Sequence, residues 1–349
     1  MNSVSPEFQI SFLINIQRLL SEGSYVATYK YALLLALADI SIERGTDDDG
    51  ELTITTRLLA EKFVRYYWRQ SAPYLSSDIV LQQNTYKQAG VINKVRSSHE
   101  RYEGSLSNAQ NDNKQWNLIL NQVANYVRTM PLWKLQTVGS EKLDFLYPNT
   151  YQSDDIKLKP GVAYCFRKHY PLVSDLVKGA WLRYVRRYNA KALGDQTDLY
   201  EFLFGSERTN LRKAAEILFD FQQGDCFYCR NALKEATPHV DHFIPWSRYP
   251  VDLGHNFVLA HGSCNSNKSD LLAAQIHLNR WCEFQSINAI ALASAFDRAG
   301  IPNDINSSLK IVDWAYSQTY DVHGLTWLQK KEMLKLGNNW REILGTLLN

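Results

Sequence analysis

Metal-ligand side chains crowd one stretch of the sequence, residues 226–268. Three of the chain's five cysteines (Cys226, Cys229, Cys264) and four of its eight histidines (His239, His242, His255, His261) fall inside it. Cys226 and Cys229 form a CxxC pair, and His261 and Cys264 form an HxxC pair with the same local spacing. Two such pairs can close a tetrahedral site of three thiolates and one imidazole, a ligand set that suits Zn2+. With all four positions used, no coordination site is left for a substrate. The ion is therefore expected to staple the fold, its binding free energy counting as folding free energy. Cys165 and Cys282 lie outside the pairs and read as core thiols.

Between the pairs come HVDHFIPWS and DLGHNFVLA, and a helix is expected to begin near Ser263, which gives strand, loop, strand, helix. Asp241 and His242 are neighbours, and adjacent residues of a regular strand face opposite ways. Their sharing one site requires a strand end or a bend, which Pro245 makes available. Over residues 222–275 the segment resembles the HNH endonuclease family, the ββα-metal or His-Me finger nucleases. The resemblance is carried by Asp241-His242 followed by Phe243-Ile244-Pro245, by Asn256 within HNFVLA, by Cys264-Asn265 and by Lys268.

The resemblance implies a role for each of these positions. His242 would be the general base that takes a proton from the attacking water, a task suited to a group that titrates near neutrality. Asp241 and Asn265 would hold one divalent cation, Mg2+ or Mn2+, since oxygen donors suit a hard ion. Asn256 would orient the His242 ring by hydrogen bonding, and Lys268 would reach a phosphate. Arg248 and Trp246, in the loop between the strands, would meet the DNA backbone. A competing assignment makes His261 the third motif histidine and leaves no complete zinc site.

The remaining elements must position this stretch. A chain of 349 residues has room for about two domains at roughly 150 residues each. Hydrophobic content of 45% with 21% charge fits a folded chain and excludes wholesale disorder. A net charge of +2 does not mark a nucleic-acid binder, which needs a local basic surface instead. The expected class is α+β. Residues 1–205 form a mostly helical domain, residues 206–285 a zinc-stapled HNH domain, and residues 286–349 a C-terminal helical extension.

Within the first part, helical periodicity covers residues 6–20, and the run YALLLALADI predicts a central helix apolar nearly all round, with Lys30 at an exposed end. The turn RGTDDDG precedes a short strand, ELTIT, and a helix across LLAEKFVRYYWRQ. Residues 97–114 read as a polar loop, and a helix follows over residues 115–128. FLY, IKLK and VAYCF suggest a small sheet. Residues 172–191 read as a helix carrying Lys178, Arg183, Arg186 and Arg187, after Arg167 and Lys168. This is the best candidate outside the metal-ligand stretch for a phosphate backbone, with Arg183, Arg186 and Arg187 as its contacts. Helices are expected over residues 199–204 and 210–221, and again from residue 271 to the end, broken near Gly324 and Gly337.

The N-terminus lacks the features of a secretory signal, and the most apolar run is too short to span a bilayer, so a cytoplasmic chain without membrane contact is expected. Cysteines grouped as metal pairs fit a reducing compartment. The expected activity is metal-dependent hydrolysis of phosphodiester bonds in double-stranded DNA, with Mg2+ or Mn2+ in the catalytic site and a structural Zn2+. Bacterial restriction or antiphage defence would be its setting. Residues 1–205 would choose the substrate, bind a protein partner or restrain the nuclease. The alternatives are an RNA-directed nuclease and an inactive zinc-stapled binding module.

Overall fold

The computed structural model describes residues 4–23, 25–74, 78–85, 88–149, 153–193, 198–205, 209–233 and 238–348. The chain divides into two compact units, residues 1–205 and 206–349.

The first unit opens with α1 (Pro6–Glu22), capped by Ser5, and α2 (Tyr29–Arg44). Every residue of α2 from Tyr29 to Glu43 is buried, which is what an almost continuous apolar run requires of a helix. Lys30 is correspondingly buried, against the ring of Tyr25, and does not stand at an exposed end. The two acidic residues of α2 are paired. Asp39 accepts from Tyr66 at 2.5 Å and Tyr170 at 2.8 Å, and Glu43 accepts from Lys62 at 2.6 Å. Strand β1 (Leu52–Thr55) leads into α3 (Thr56–Gln70), whose Tyr67 and Trp68 are core residues.

Residues 97–114 are largely helical where a loop was expected. They hold the end of α4 (Gly90–Arg101), all of α5 (Leu106–Asn111) and the start of α6 (Asn113–Thr129). Ser105 and Asp112 cap α5 and α6 through their side chains, so the polar residues that suggested a loop are helix starts. After α7 (Pro131–Lys134) come β2 (Thr137–Val138), β3 (Glu141–Lys142) and β4 (Asp155–Leu158). The IKLK segment is β4 and pairs antiparallel with β1, Ile54 opposite Ile156. VAYCF lies in helix α8 (Val162–Lys168), not in a strand.

The unit closes with α9 (Tyr170–Tyr188), α10 (Ala190–Leu193) and α11 (Leu199–Phe204). The basic residues around α9 separate by burial. Arg167 is fully buried, donating to Asp47 at 2.7 Å and to the Ile42 carbonyl at 3.0 Å, and Lys178 is buried too. Arg183, Arg186 and Arg187 are exposed.

The second unit begins with α12 (Thr209–Phe221), then β5 (His239–His242), a 3-10 turn over Gly254–Asn256, β6 (Phe257–Ala260) and α13 (Gly262–Lys268). β5 and β6 pair antiparallel, His242 opposite Phe257 and His239 opposite Ala260. α14 (Gln275–Ala299) and α15 (Ile305–Asp321) follow, and α14 runs through residues 285 and 286 without interruption. Next comes a hairpin where only helices were expected, β7 (Leu325–Gln329) and β8 (Glu332–Lys335), before α16 (Trp340–Leu348). The hairpin turn uses Lys330 at φ 46, and β7 buries Thr326 and Trp327, a short pattern that a helical reading absorbs. No helix among the described residues is long and apolar enough to cross a membrane.

Candidate active site and zinc centre

The first cysteine pair sits in a tight turn after α12. The Arg230 N–H donates to the Cys226 carbonyl at 3.0 Å, with Arg230 at φ 64, and the Phe227 N–H donates to Leu259 of β6 at 2.9 Å. The second pair sits where β6 runs into α13. The ligand atoms of Cys226, Cys229, His261 and Cys264 all lie within 4.8 Å of one another, so both pairs face one point. Three sulfurs at roughly 2.3 Å from a central Zn2+, with one imidazole nitrogen, fit this spacing.

The electrostatics fit a cation as well. Burial raises the Cys226 thiol, but N–H groups of Cys229, His261 and Tyr228 aimed at it outweigh burial and hold it below the usual thiol value. Burial, and then the Cys226 and Cys229 sulfurs, push Cys264 up to about 12. A divalent ion among the sulfurs favours the thiolate form of each. The His261 ring lies with the three sulfurs.

The second centre lies at the end of β5. Because His242 is the last residue of the strand, the chain can turn there, and both Asp241 and His242 line one cleft of about 330 Å3 together with Trp246, Asn265, Ser269 and Asp270. Asn265 enters from the first turns of α13. His242 Nε2 lies 2.7 Å from Asp252 Oδ1. An ionised carboxylate only accepts, so in the neutral ring a hydrogen on Nε2 leaves the Nδ1 lone pair as the acceptor. The ring packs edge-on against Phe257 at 5.0 Å and Trp246 at 5.4 Å.

Two expected partners differ. The side chain hydrogen-bonded to the His242 ring is Asp252, while Asn256 meets the backbone. The buried Asn256 amide accepts from the Ile244 N–H at 2.8 Å and donates to the Ile244 carbonyl at 3.0 Å, which clamps the loop leaving β5 and uses both ends of the side chain. Lys268 points inward. It is fully buried, with Nζ 3.0 Å from Asp241 Oδ2 and 2.9 Å from the His242 carbonyl. Burial lowers its pKa and Asp241 opposes that effect. Lysine at the last position of a short helix can point either way, and here the buried Asp241 carboxylate supplies an opposite charge that offsets the cost of burial.

Arg248 is half-buried, its guanidinium donating to Thr319 Oγ1 at 3.1 Å, which ties the loop to α15. The remaining residues that sequence reasoning missed are Tyr228 and Asp270. The Tyr228 hydroxyl donates to Asp241 Oδ2 at 2.5 Å, and Asp270 accepts from Ser247 at 2.9 Å at the rim of the cleft. For Asp252 a signal was present, since it is the single acidic residue between Phe243 and His255.

The oxygen donors of Asp241 and Asn265 on one cleft fit a hard divalent cation. Among the described residues, Asp241 Oδ1 carries only a 3.3 Å contact from Lys268, whereas Oδ2 is held by Tyr228 and Lys268 together. A carboxylate has roughly four acceptor directions, so Oδ1 retains capacity for an ion.

Comparison with family models agrees with this division. The model described as Domain of unknown function (DUF8808) matches residues 10–203, more than half of the chain. The chain belongs to the DUF8808 family. An HNH endonuclease model matches residues 226–271, the segment that holds both the cysteine pairs and the cleft. This DUF8808 chain thus carries an HNH endonuclease domain in its second unit, with a Cys3His group that can bind zinc. No curated protein and no solved structure matches the chain.

Proposed function

We propose that the chain is a divalent-metal-dependent endonuclease that hydrolyses phosphodiester bonds in DNA. The observation that carries this reading is the convergence of Asp241, His242 and Asn265 on one cleft, with His242 held by Asp252. Asp252 fixes the tautomer, so Nδ1 of His242 can accept the proton of the attacking water. Asn256 keeps the loop, and with it the position of the ring, through Ile244. Asp241 and Asn265 would hold Mg2+ or Mn2+, which supplies charge stabilisation at the scissile phosphate and leaving oxygen. The zinc group would take no part in the chemistry, since its four ligands complete a tetrahedron.

Arg183, Arg186 and Arg187, exposed on α9, are the surface we assign to phosphate contacts. Arg248, tied to Thr319, would act by shaping the loop. A cytoplasmic setting and a role in bacterial restriction or antiphage defence extend the same reading, since the nuclease fold alone does not set its use.

The test incubates the purified chain with plasmid DNA and with structured RNA, with and without Mg2+, beside His242→Ala. Mg2+-dependent DNA cleavage lost in the variant supports the reading. Cleavage of RNA alone reassigns the substrate, and equal cleavage by the variant removes His242 from the mechanism. Metal analysis is expected to find about one zinc per chain.

A further inference from the structure

Asp241 is buried and is gripped from two directions by donors that come from the two halves of the zinc group. Tyr228 lies between Cys226 and Cys229 in sequence, and its hydroxyl donates to Oδ2 at 2.5 Å. Lys268 follows Cys264 by four residues on α13 and meets the same oxygen at 3.0 Å. Residues 228 and 268 are distant in sequence. What brings their segments together is the approach of the first pair to His261 and Cys264, whose ligand atoms lie within 4.8 Å of one another.

The tyrosine is itself held rigidly. Its ring stands edge-on to Trp327 at 5.1 Å and to His277 at 5.2 Å. Its carbonyl and that of Phe227 accept from one guanidinium nitrogen of Arg280, at 2.6 and 2.7 Å. A carboxylate held mainly at one oxygen by two buried donors offers its other oxygen in a defined direction, which is how outer partners set the affinity of a metal ligand.

We propose that Tyr228 is a positioning residue for the divalent cation of the cleft, acting through Asp241, and that the zinc knuckle is in this way part of the cation site. The proposal rests on the nuclease reading only in taking Asp241 as a cation ligand. Zinc binding and hard-cation binding are thereby coupled through one hydroxyl.

The experiment uses the full zinc-loaded chain and Mn2+ alone as the probe, with free Mn2+ followed by electron paramagnetic resonance. Tyr228→Phe is expected to keep about one zinc per chain and to weaken Mn2+ binding about 10-fold. In an Asp241→Asn background the same substitution is expected to add nothing. Trp340→Phe, which alters a buried ring of the same unit packed on Tyr316 and Tyr320, is expected to leave the Mn2+ Kd unchanged.

An unchanged Kd in Tyr228→Phe overturns the proposal, as does zinc loss or misfolding in that variant, an equal weakening by Trp340→Phe, or absence of Mn2+ binding by the wild type. The nuclease reading fails separately, when the wild type binds Mn2+ but cleaves neither DNA nor RNA.

Discussion

His242 Nε2 and Asp252 Oδ1 are 2.7 Å apart, and each side chain is only 14% exposed. The short contact in a partly enclosed place makes Asp252 the group that selects the His242 tautomer. Asp252→Asn offers an amide N–H to Nε2 and so favours hydrogen on Nδ1, the nitrogen needed as acceptor. We expect kcat to fall about 100-fold or more, within the range of a lost general base. KM and Mn2+ affinity should stay near wild type. Single-turnover cleavage with titrated Mn2+ separates these quantities, and a change confined to KM would remove Asp252 from the proton-transfer machinery.

What the sequence made legible and what it hid follow from the range of the interactions involved. The CxxC and HxxC pairs and the Asp241-His242 step are local, so their spacing carries the information. The hydroxyl of Tyr228, the amine of Lys268 and the carboxylate of Asp252 meet their partners only after β5, β6 and α13 have folded together. Lys268 illustrates the difference: a lysine after a helical turn looks solvated until a buried carboxylate is placed beside it. The β7–β8 hairpin was hidden for a related reason, since Ala274 and Trp327 pair across a long sequence separation, the Ala274 N–H donating to the Trp327 carbonyl at 2.7 Å. α5 and α6 were hidden by their own caps, because Ser, Asn and Asp favour both loops and helix starts.

The Lys268–Asp241 pair, with side chains 0% and 8% exposed, sets a stability prediction. Lys268→Met leaves the carboxylate buried with one partner fewer and is expected to cost about 3–5 kcal/mol. Replacing both residues, Lys268→Met with Asp241→Leu, removes the unpaired charge and should recover a good part of that loss. Chemical denaturation of the zinc-loaded chains measures both. Equal destabilisation by the single and the double variant would show that the pair is not the source of the effect.

Ser269, which follows α13 at the rim of the cleft, has φ 48 and ψ −129, a conformation that favours glycine. Its side chain is exposed, so little packing is lost on removing it. Relief of backbone strain of roughly 1–3 kcal/mol is partly offset by the greater freedom of glycine in the unfolded chain. Ser269→Gly should therefore stabilise by about 1 kcal/mol, seen as a higher Tm, without loss of Mn2+ binding. A lower Tm would show that the serine hydroxyl contributes more than its backbone costs.

His277 gives the acid sensitivity a sign. Burial lowers its pKa from the ordinary 6.5, and the neighbouring Arg280 lowers it further, although the Leu328 carbonyl, 2.7 Å from Nε2, opposes both. With the folded value below the unfolded one, the unfolded chain binds more protons in the interval between them. Stability is then full above about pH 6.5 and is lost as pH falls through the folded value. His277→Gln keeps an N–H for Leu328 and cannot titrate. Zinc release on acidification affects wild type and variant alike, so the difference between their Tm losses from pH 7.5 to 5.5 isolates His277. The wild type should lose more. Parallel losses would mean that His277 takes up its proton without cost to the fold.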